Sequence, residues 1–316
     1  MTCRTVVLNA GKMNYDGALD FSGLSDEVIV HSDSTEEEAA ERAKEAEILV
    51  TKELVLSEET VRNFPKTLKL ICEAGTGYNN LPIEVCRERG ITVCNVPAYS
   101  SQRVAHTAVM MILCLSSLVS KQIRMLERGD RRNFLDHLMV NHTEVNGKTL
   151  GVIGAGNIGQ TVIKIAKALD MNVLVFTSTP GKDEPGVTYT DLDTVLKESD
   201  YLTLHCPLTE ETRHIIDRTA LEKMKPGAFL INTSRGALVD EAALIDALKS
   251  GRIAGAGLDV QECEPPKEDN PLYEMDNVIL TPHMGWKGLE TRKRLVSVVA
   301  DNIRAFREGK PINVIN

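Results

Sequence analysis

Three segments in the second half of the chain, INTSRGALVDE, AGLDVQECEP and LTPHMGW, each pass from an apolar stretch into polar residues and supply Arg235, Glu264 and His283. An arginine offers a fixed two-pronged donor for a carboxylate, a histidine exchanges protons near neutral pH, and a glutamate beside it favours and orients the imidazolium. Reduction of a 2-keto acid calls for that set. Negative charge gathers on the keto oxygen as a hydride reaches the carbon, so one group must deliver a proton and another must hold the substrate's carboxylate. The expected roles are His283 as acid/base, Glu264 as the neighbour that raises the pKa of His283 and orients its ring, and Arg235 as anchor. Singly, an arginine after a strand usually makes a surface salt bridge and a histidine usually packs. Together, behind a dinucleotide loop, they form one constellation.

That loop is GAGNIG, Gly154 to Gly159. GxGxxG alone is a weak signal, but here it follows the strand pattern TLGVI and opens the helix pattern NIGQTVIKIAKAL, so backbone N–H groups at a helix N-terminus can face a pyrophosphate. Gly156 lets the backbone approach the phosphates, and Gly159 permits close helix–strand packing. The acidic residue expected at the end of the second strand, where it would hold the adenosine ribose, is missing: VLVF runs into Thr177, Ser178 and Thr179. Asp170 precedes the strand and Asp183 lies beyond it. NAD is the expected cofactor and NADP remains open, since no carboxylate repels a 2'-phosphate and only Lys182 is near to attract one.

Other reactive residues carry less. Cys263 adjoins Glu264 without a motif, His31, His137 and His142 sit in polar or irregular stretches, and Asp240 reads as a helix N-cap. His205 and Cys206 begin a loop after a strand and can line the cofactor pocket without reacting.

The elements that must position these residues follow a strand–helix rhythm: TVVLNA, EVIV, EILV, LKLICEAG and ITVCNV first, then TLGVIGAGNIG, MNVLVFTS, DYLTLHCP, AFLINTSRG, AGAGLDV and NVILTPH. Short Val/Ile/Leu runs alternating with charged helical stretches indicate parallel α/β sheets. The expected fold is two doubly wound parallel-sheet domains, Rossmann or flavodoxin-like, joined by long helices. One of these is read as continuous from about Gln102 to Arg128. The final amphipathic stretch, LETRKRLVSVVADNIRAFREG, is expected to return to the first lobe. The organisation is therefore a discontinuous substrate-binding domain of residues 1–100 and 287–316, and an NAD(P)-binding domain of residues 101–286.

Composition narrows the function classes. The formal charge of -9 disfavours nucleic acid as a partner, because nonspecific binding needs a positive field. Seven cysteines without a CxxC pair indicate neither a disulfide framework nor a metal site, and fit a reducing compartment. No leader pattern and no bilayer-length apolar run is visible, so a cytoplasmic location without membrane association is expected.

The chain resembles the D-isomer-specific 2-hydroxyacid dehydrogenase family over nearly its whole length. NTSRGALVDEAAL, GLDVQECEPP and TPHMGW match that family's Arg, Glu and His motifs in order and spacing, and GAGNIG matches its nucleotide loop. The resemblance implies that Arg235, Glu264 and His283 are catalytic. It places Asn157, Ile158, Thr177, Cys206, Pro207, Thr233, Asp259, Gly285 and Trp286, with the loop glycines Gly154, Gly156 and Gly159, at or around the cofactor. It also implies a homodimer formed through the nucleotide-binding lobes. EAGTGYNNLPIEVCRERGITVCNVPAYSS and Trp286 are similar to the glycerate dehydrogenase, or hydroxypyruvate reductase, branch. By that similarity Lys52 and the backbone of Gly75, Thr76 and Gly77 hold the substrate carboxylate together with Arg235 and His283. Thr177 stands where the family usually has Asp, and HLMV at 137–140 matches no substrate loop. Hydroxypyruvate/D-glycerate is thus the expected pair. The competing readings are a glyoxylate or bulkier 2-keto acid reductase and, in a different class, a dinucleotide-sensing binding protein.

Overall fold

A computed structural model describes residues 4–179 and 181–316. The chain forms two compact units, one of Met1–Ser100 with Lys287–Asn316 and one of Ser101–Trp286.

The first unit is built on a five-stranded sheet of β1 (Arg4–Val7), β2 (Glu27–Val30), β3 (Ile48–Thr51), β4 (Leu70–Glu73) and β5 (Thr92–Cys94), in the order β2-β1-β3-β4-β5 with every pair parallel. β3 and β4 are buried at every position, as the continuous runs ILVT and LICE require of strands covered on both faces. Val6, Leu49, Ile71, Val85 and Val93 belong to the core on one side. The helix Leu289–Arg307 buries Leu295, Val299 and Ile303 in this unit, and the tail after it bonds to β5, Ile315 N–H donating to Val93 O at 3.0 Å.

The second unit carries seven parallel strands: β6 (Thr149–Ile153), β7 (Asn172–Phe176), β8 (Val187–Tyr189), β9 (Tyr201–Leu204), β10 (Phe229–Asn232), β11 (Gly255–Leu258) and β12 (Val278–Leu280). Their order is β12-β11-β10-β9-β6-β7-β8. The order reverses between β6 and β9, and the crevice beyond their carboxyl ends is where doubly wound sheets take ligands. β8 is not legible in the sequence. Three residues after Gly186, paired only with β7 at the sheet edge, are too few to show a period.

The helix read as continuous over Gln102–Arg128 is broken. Ser101–Ser116 and Val119–Glu127 meet at 64°. Leu118 between them has φ 46 and ψ 44, which stops a right-handed helix. The Ser116 hydroxyl bonds back to Leu113 O at 2.8 Å, offering the backbone an alternative to the helical ladder where the apolar pattern alone would continue. Among the described residues, no single helix is long and apolar enough to cross a membrane.

Candidate active site

Arg235, Glu264 and His283 follow the carboxyl ends of β10, β11 and β12, three neighbouring strands. His283 Nδ1 lies 2.8 Å from Glu264 Oε2, and both side chains keep about a third or more of their surface exposed, at 35% and 40%. The other Glu264 oxygen accepts the Gln261 N–H at 3.1 Å. Burial pushes the Glu264 carboxyl up, but the hydrogen bond and charge of His283, the Gln261 N–H and the Arg235 charge outweigh it and hold the group below its ordinary value. Glu264 is therefore a carboxylate at neutral pH.

The histidine is held by its backbone. His283 has φ 48, a left-handed conformation that a bulky residue adopts only when its surroundings impose it. The imposing group is Asp259, 2% exposed. Its carbonyl accepts His283 N–H at 2.8 Å, while its carboxylate accepts Met284 N–H at 2.9 Å, Gly285 N–H at 2.7 Å and the Thr281 hydroxyl. Gly285 is needed for this, since a Cβ there would stand 2.8 Å from Asp259 Oδ2. Asp259 and Gly285, expected beside the cofactor, thus shape the loop that carries His283.

Arg235 is exposed, donates Nη1 to Ser234 O at 2.9 Å, and among the described residues makes no salt bridge. Two residues that motif reading missed place it. Asn232, 1% exposed, donates to Arg235 O at 2.8 Å and accepts Ser234 N–H at 3.0 Å. Gly236 lies so close to the next loop that a Cβ would sit 1.8 Å from Gln261 O, which brings the arginine loop against the loop of Glu264. A buried asparagine at a strand end and a glycine after an arginine are ordinary in sequence, and only the packing gives them meaning.

At the end of β6, Gly154 has φ 94, and a Cβ on it would meet the Cys206 nitrogen at 2.5 Å. A Cβ on Gly159 would meet Gly154 O at 2.2 Å, so the strand–helix turn closes only with glycine at both positions. Gly156 differs: nothing lies within 4 Å of its Cβ position. It is the N-cap of the helix Asn157–Ala168, and no side chain caps that helix.

In the first unit, Lys52 follows β3 and is 4% exposed, with Nζ 2.6 Å from Glu53 Oε1. Gly75, Thr76 and Gly77 follow β4 in a turn whose carbonyls are engaged, Gly75 O by Val96 N–H at 2.9 Å and Thr76 O by Asn95 Nδ2 at 2.8 Å.

The family model for the D-isomer specific 2-hydroxyacid dehydrogenase NAD binding domain matches residues 109–285. This chain belongs to the D-isomer specific 2-hydroxyacid dehydrogenases. Across its length it is 36% identical to a hydroxypyruvate reductase of Blautia hydrogenotrophica, covering 99% of both chains. It is 41% identical to a glyoxylate reductase of Thermococcus litoralis over 87% of this chain and 85% of that one. The crystal structure of the TT0316 protein from Thermus thermophilus superposes with a TM-score of 0.87 at 34% identity, covering 99% of this chain and 100% of that one. As a dehydrogenase of this family the chain is an NAD(P)-dependent oxidoreductase acting on 2-hydroxy acids, built on Rossmann-type α/β domains.

The loop of this dehydrogenase fits the dinucleotide. An uncapped helix N-terminus with open space at Gly156 offers unsatisfied N–H groups and the positive end of the helix dipole to a pyrophosphate. Two buried polar atoms at the adjacent strand ends, His205 Nδ1 after β9 and Thr233 Oγ1 after β10, have no hydrogen-bond partner among the described residues, which marks where a bound molecule's polar groups belong. Burial pushes His205 down to about 4, so it is neutral and no acid for the reaction. Asn157 and Ile158 open the helix, Cys206, Thr233 and Trp286 are buried near strand ends, and Pro207 is exposed. Thr177 follows β7 half-buried, with Ser178 exposed beside it. Neither carboxylate near that strand replaces the missing acid: Asp183 accepts Tyr189 N–H at 2.8 Å, and Asp170 lies before the strand. Asp240 caps the helix Glu241–Lys249 by accepting from Ala243 N–H. Among the described residues, no group of three or more His, Cys, Asp or Glu is arranged to hold a metal ion.

Proposed function

We propose that this dehydrogenase reduces a small 2-keto acid to its D-2-hydroxy acid, with hydroxypyruvate and D-glycerate as the pair, through His283, Glu264 and Arg235. The observation that carries the reading is the 2.8 Å contact of His283 Nδ1 with an ionised Glu264, on a strand end beside the one that carries Arg235. With Nδ1–H donated to Glu264, Nε2 is the nitrogen that gives its proton to the keto oxygen during reduction and takes it back during oxidation. Glu264 remains charged throughout and stabilises the imidazolium that precedes transfer. The Arg235 guanidinium, which makes no salt bridge within the protein among the described residues, binds the substrate's carboxylate and offsets the charge gathering on the keto oxygen. Lys52 and the Gly75, Thr76 and Gly77 backbone are the carboxylate's holding point in the first unit. When bound, the nicotinamide cofactor supplies or accepts the hydride. Gly154, Gly156, Asn157, Ile158 and Gly159 would hold its pyrophosphate, and Thr177 would face its adenosine ribose, with NAD the preferred form.

The choice of hydroxypyruvate rests on the relative from Blautia hydrogenotrophica. The glyoxylate reductase of Thermococcus litoralis gives glyoxylate as the second reading. A panel of hydroxypyruvate, glyoxylate, pyruvate and bulkier keto acids, each with NADH and NADPH and followed by nicotinamide absorbance, separates them. Hydroxypyruvate with NADH should give the highest kcat/KM. Absence of turnover with every keto acid would leave a dinucleotide-sensing protein as the better reading.

A homodimer is part of the proposal. Ile123, Leu126, Phe134, Leu135, Leu138 and Met139 are all at least 40% exposed in one stretch of the nucleotide-binding unit. A second copy of this chain would cover them.

A further inference from the structure

Glu73 ends β4 with 1% of its surface exposed, a buried acid that the proposed reduction does not use. Its Oε1 accepts Glu53 N–H at 3.1 Å and its Oε2 accepts Asn80 Nδ2 at 3.0 Å, while the same Asn80 amide donates to Leu54 O at 2.8 Å. Glu53, at φ 54, is the residue whose carboxylate pairs with the Lys52 ammonium. The two networks meet at Gly75, where a Cβ would lie 3.3 Å from Lys52 Nζ and 3.4 Å from Glu73 Oε1. Because residue 75 has no side chain, an ammonium, a carboxyl and the backbone of the turn share one small volume. Thr76 is tied down through its hydroxyl, 2.9 Å from Val96 O, and among the described residues no protein group accepts from the Gly75, Thr76 or Gly77 N–H groups. The turn therefore presents donors beside a buried cation.

A buried glutamate costs more than the leucine or valine that the end of a β-strand could hold, so its presence calls for a function. We propose that Glu73 is a positioning residue for the substrate's carboxylate: acting through Glu53 and Lys52, it fixes the ammonium beside the Gly75–Gly77 turn and sets how much positive charge that turn offers an anion. This rests on the reading that Lys52 and the turn hold the keto acid.

The charged groups facing Glu73 are Lys52 and Glu53, both from the segment after β3, while Asn80 and the Gly75 turn face it with an amide and backbone. Burial pushes the Glu73 carboxyl up to about 7, against the pull of Asn80, Lys52 and the Glu53 N–H. Below that value Glu73 is neutral and adds no charge beside the ammonium that Glu53 pairs with. Above it a second negative charge faces the same ammonium, and the turn holds an anionic substrate less well.

The test is KM for hydroxypyruvate measured from about pH 6 to pH 9 in wild type, Glu73→Gln and Lys52→Met, with kcat, KM for NADH and Tm recorded in parallel. In wild type, KM should rise roughly three- to ten-fold as pH passes about 7, the size expected of one added charge about 4 to 6 Å from an ion under screening close to that of bulk water. Glu73→Gln fixes the neutral form, so its KM should stay low across the range while KM for NADH is unchanged. Lys52→Met should raise KM at every pH and remove its dependence. A glutamate that merely pins the loop would lower Tm and leave the KM profile as in wild type, and that result overturns the proposal. Should Glu73→Gln fail to fold, the wild-type profile decides, and a KM flat over the range overturns it. His283→Ala separates the two readings. If that variant stays active, the proposed function fails; if it is inactive while Glu73→Gln keeps the wild-type KM profile, only the role of Glu73 does.

Discussion

The ring nitrogen Nδ1 of His283 and the Oε2 of Glu264 lie 2.8 Å apart although the residues come from separate strand ends, and the histidine reaches that point through a left-handed backbone pinned by Asp259. The contact leaves one nitrogen for the substrate. His283→Ala should therefore lower kcat by roughly 10²–10⁴ while KM for NADH stays within several-fold, because proton transfer is lost and the phosphate-binding loop is untouched. Steady-state kinetics with hydroxypyruvate and NADH checks this, and a variant retaining most of its kcat removes His283 from the reaction.

The same contact sets a pH limit. Glu264 lies below its ordinary 4.5, so its contribution is fully present above about that pH and is lost only as pH falls through the depressed value. Reductive activity should show no Glu264-linked loss between pH 7 and pH 5. Glu264→Gln, which keeps an acceptor but not the charge, should cost at least about ten-fold in kcat at pH 7. A wild-type loss on acidification, centred above pH 5, that disappears in Glu264→Gln would contradict the assignment.

Arg235→Lys retains the charge and loses the fork. Raised KM for the keto acid together with lowered kcat is the expected outcome, with KM for NADH unchanged. If only the cofactor's KM moves, Arg235 serves the dinucleotide instead.

Cofactor choice turns on Thr177. Without a carboxylate after β7, NADH should be preferred only modestly, and Thr177→Asp should sharpen the preference mainly by harming NADPH, through repulsion of its 2'-phosphate. The comparison is kcat/KM for both cofactors in both proteins. A strong wild-type preference for NADPH would make Thr177, Ser178, Thr179 and Lys182 a phosphate pocket.

Stability of the first unit should depend on Arg292, 1% exposed, which donates to Met13 O and Lys287 O, each at 2.9 Å, and to both oxygens of Asp16, and lies over the Tyr15 ring. Arg292→Met takes away the donor to the carbonyl of the buried Met13 and should cost on the order of 2 kcal/mol, read by urea unfolding at neutral pH. The pair holds Asp16 at about 2 against its ordinary 3.8, so the contribution is present above about pH 4 and lost as pH falls through 2. An unchanged unfolding midpoint in Arg292→Met would show that the packing around Tyr15 suffices.

By itself the sequence determined the strand–helix rhythm, the dinucleotide loop and the three polar strand ends, because these are written in short-range terms: apolar runs of strand length, a glycine spacing, and a change from apolar to polar within a few residues. GAGNIG after TLGVI and TPHMGW after NVIL are legible for that reason. The tertiary structure alone decided what those residues touch. It showed Asp259, expected around the cofactor, to anchor the His283 loop, gave Asn232 and Gly236 their part in placing Arg235, broke the helix at Leu118, and buried Glu73 beside Lys52. Each of these rests on contacts between segments far apart in the chain or on a single residue's backbone angle. Neither has a periodic trace in sequence, since both arise only once the sheets have brought their strand ends together.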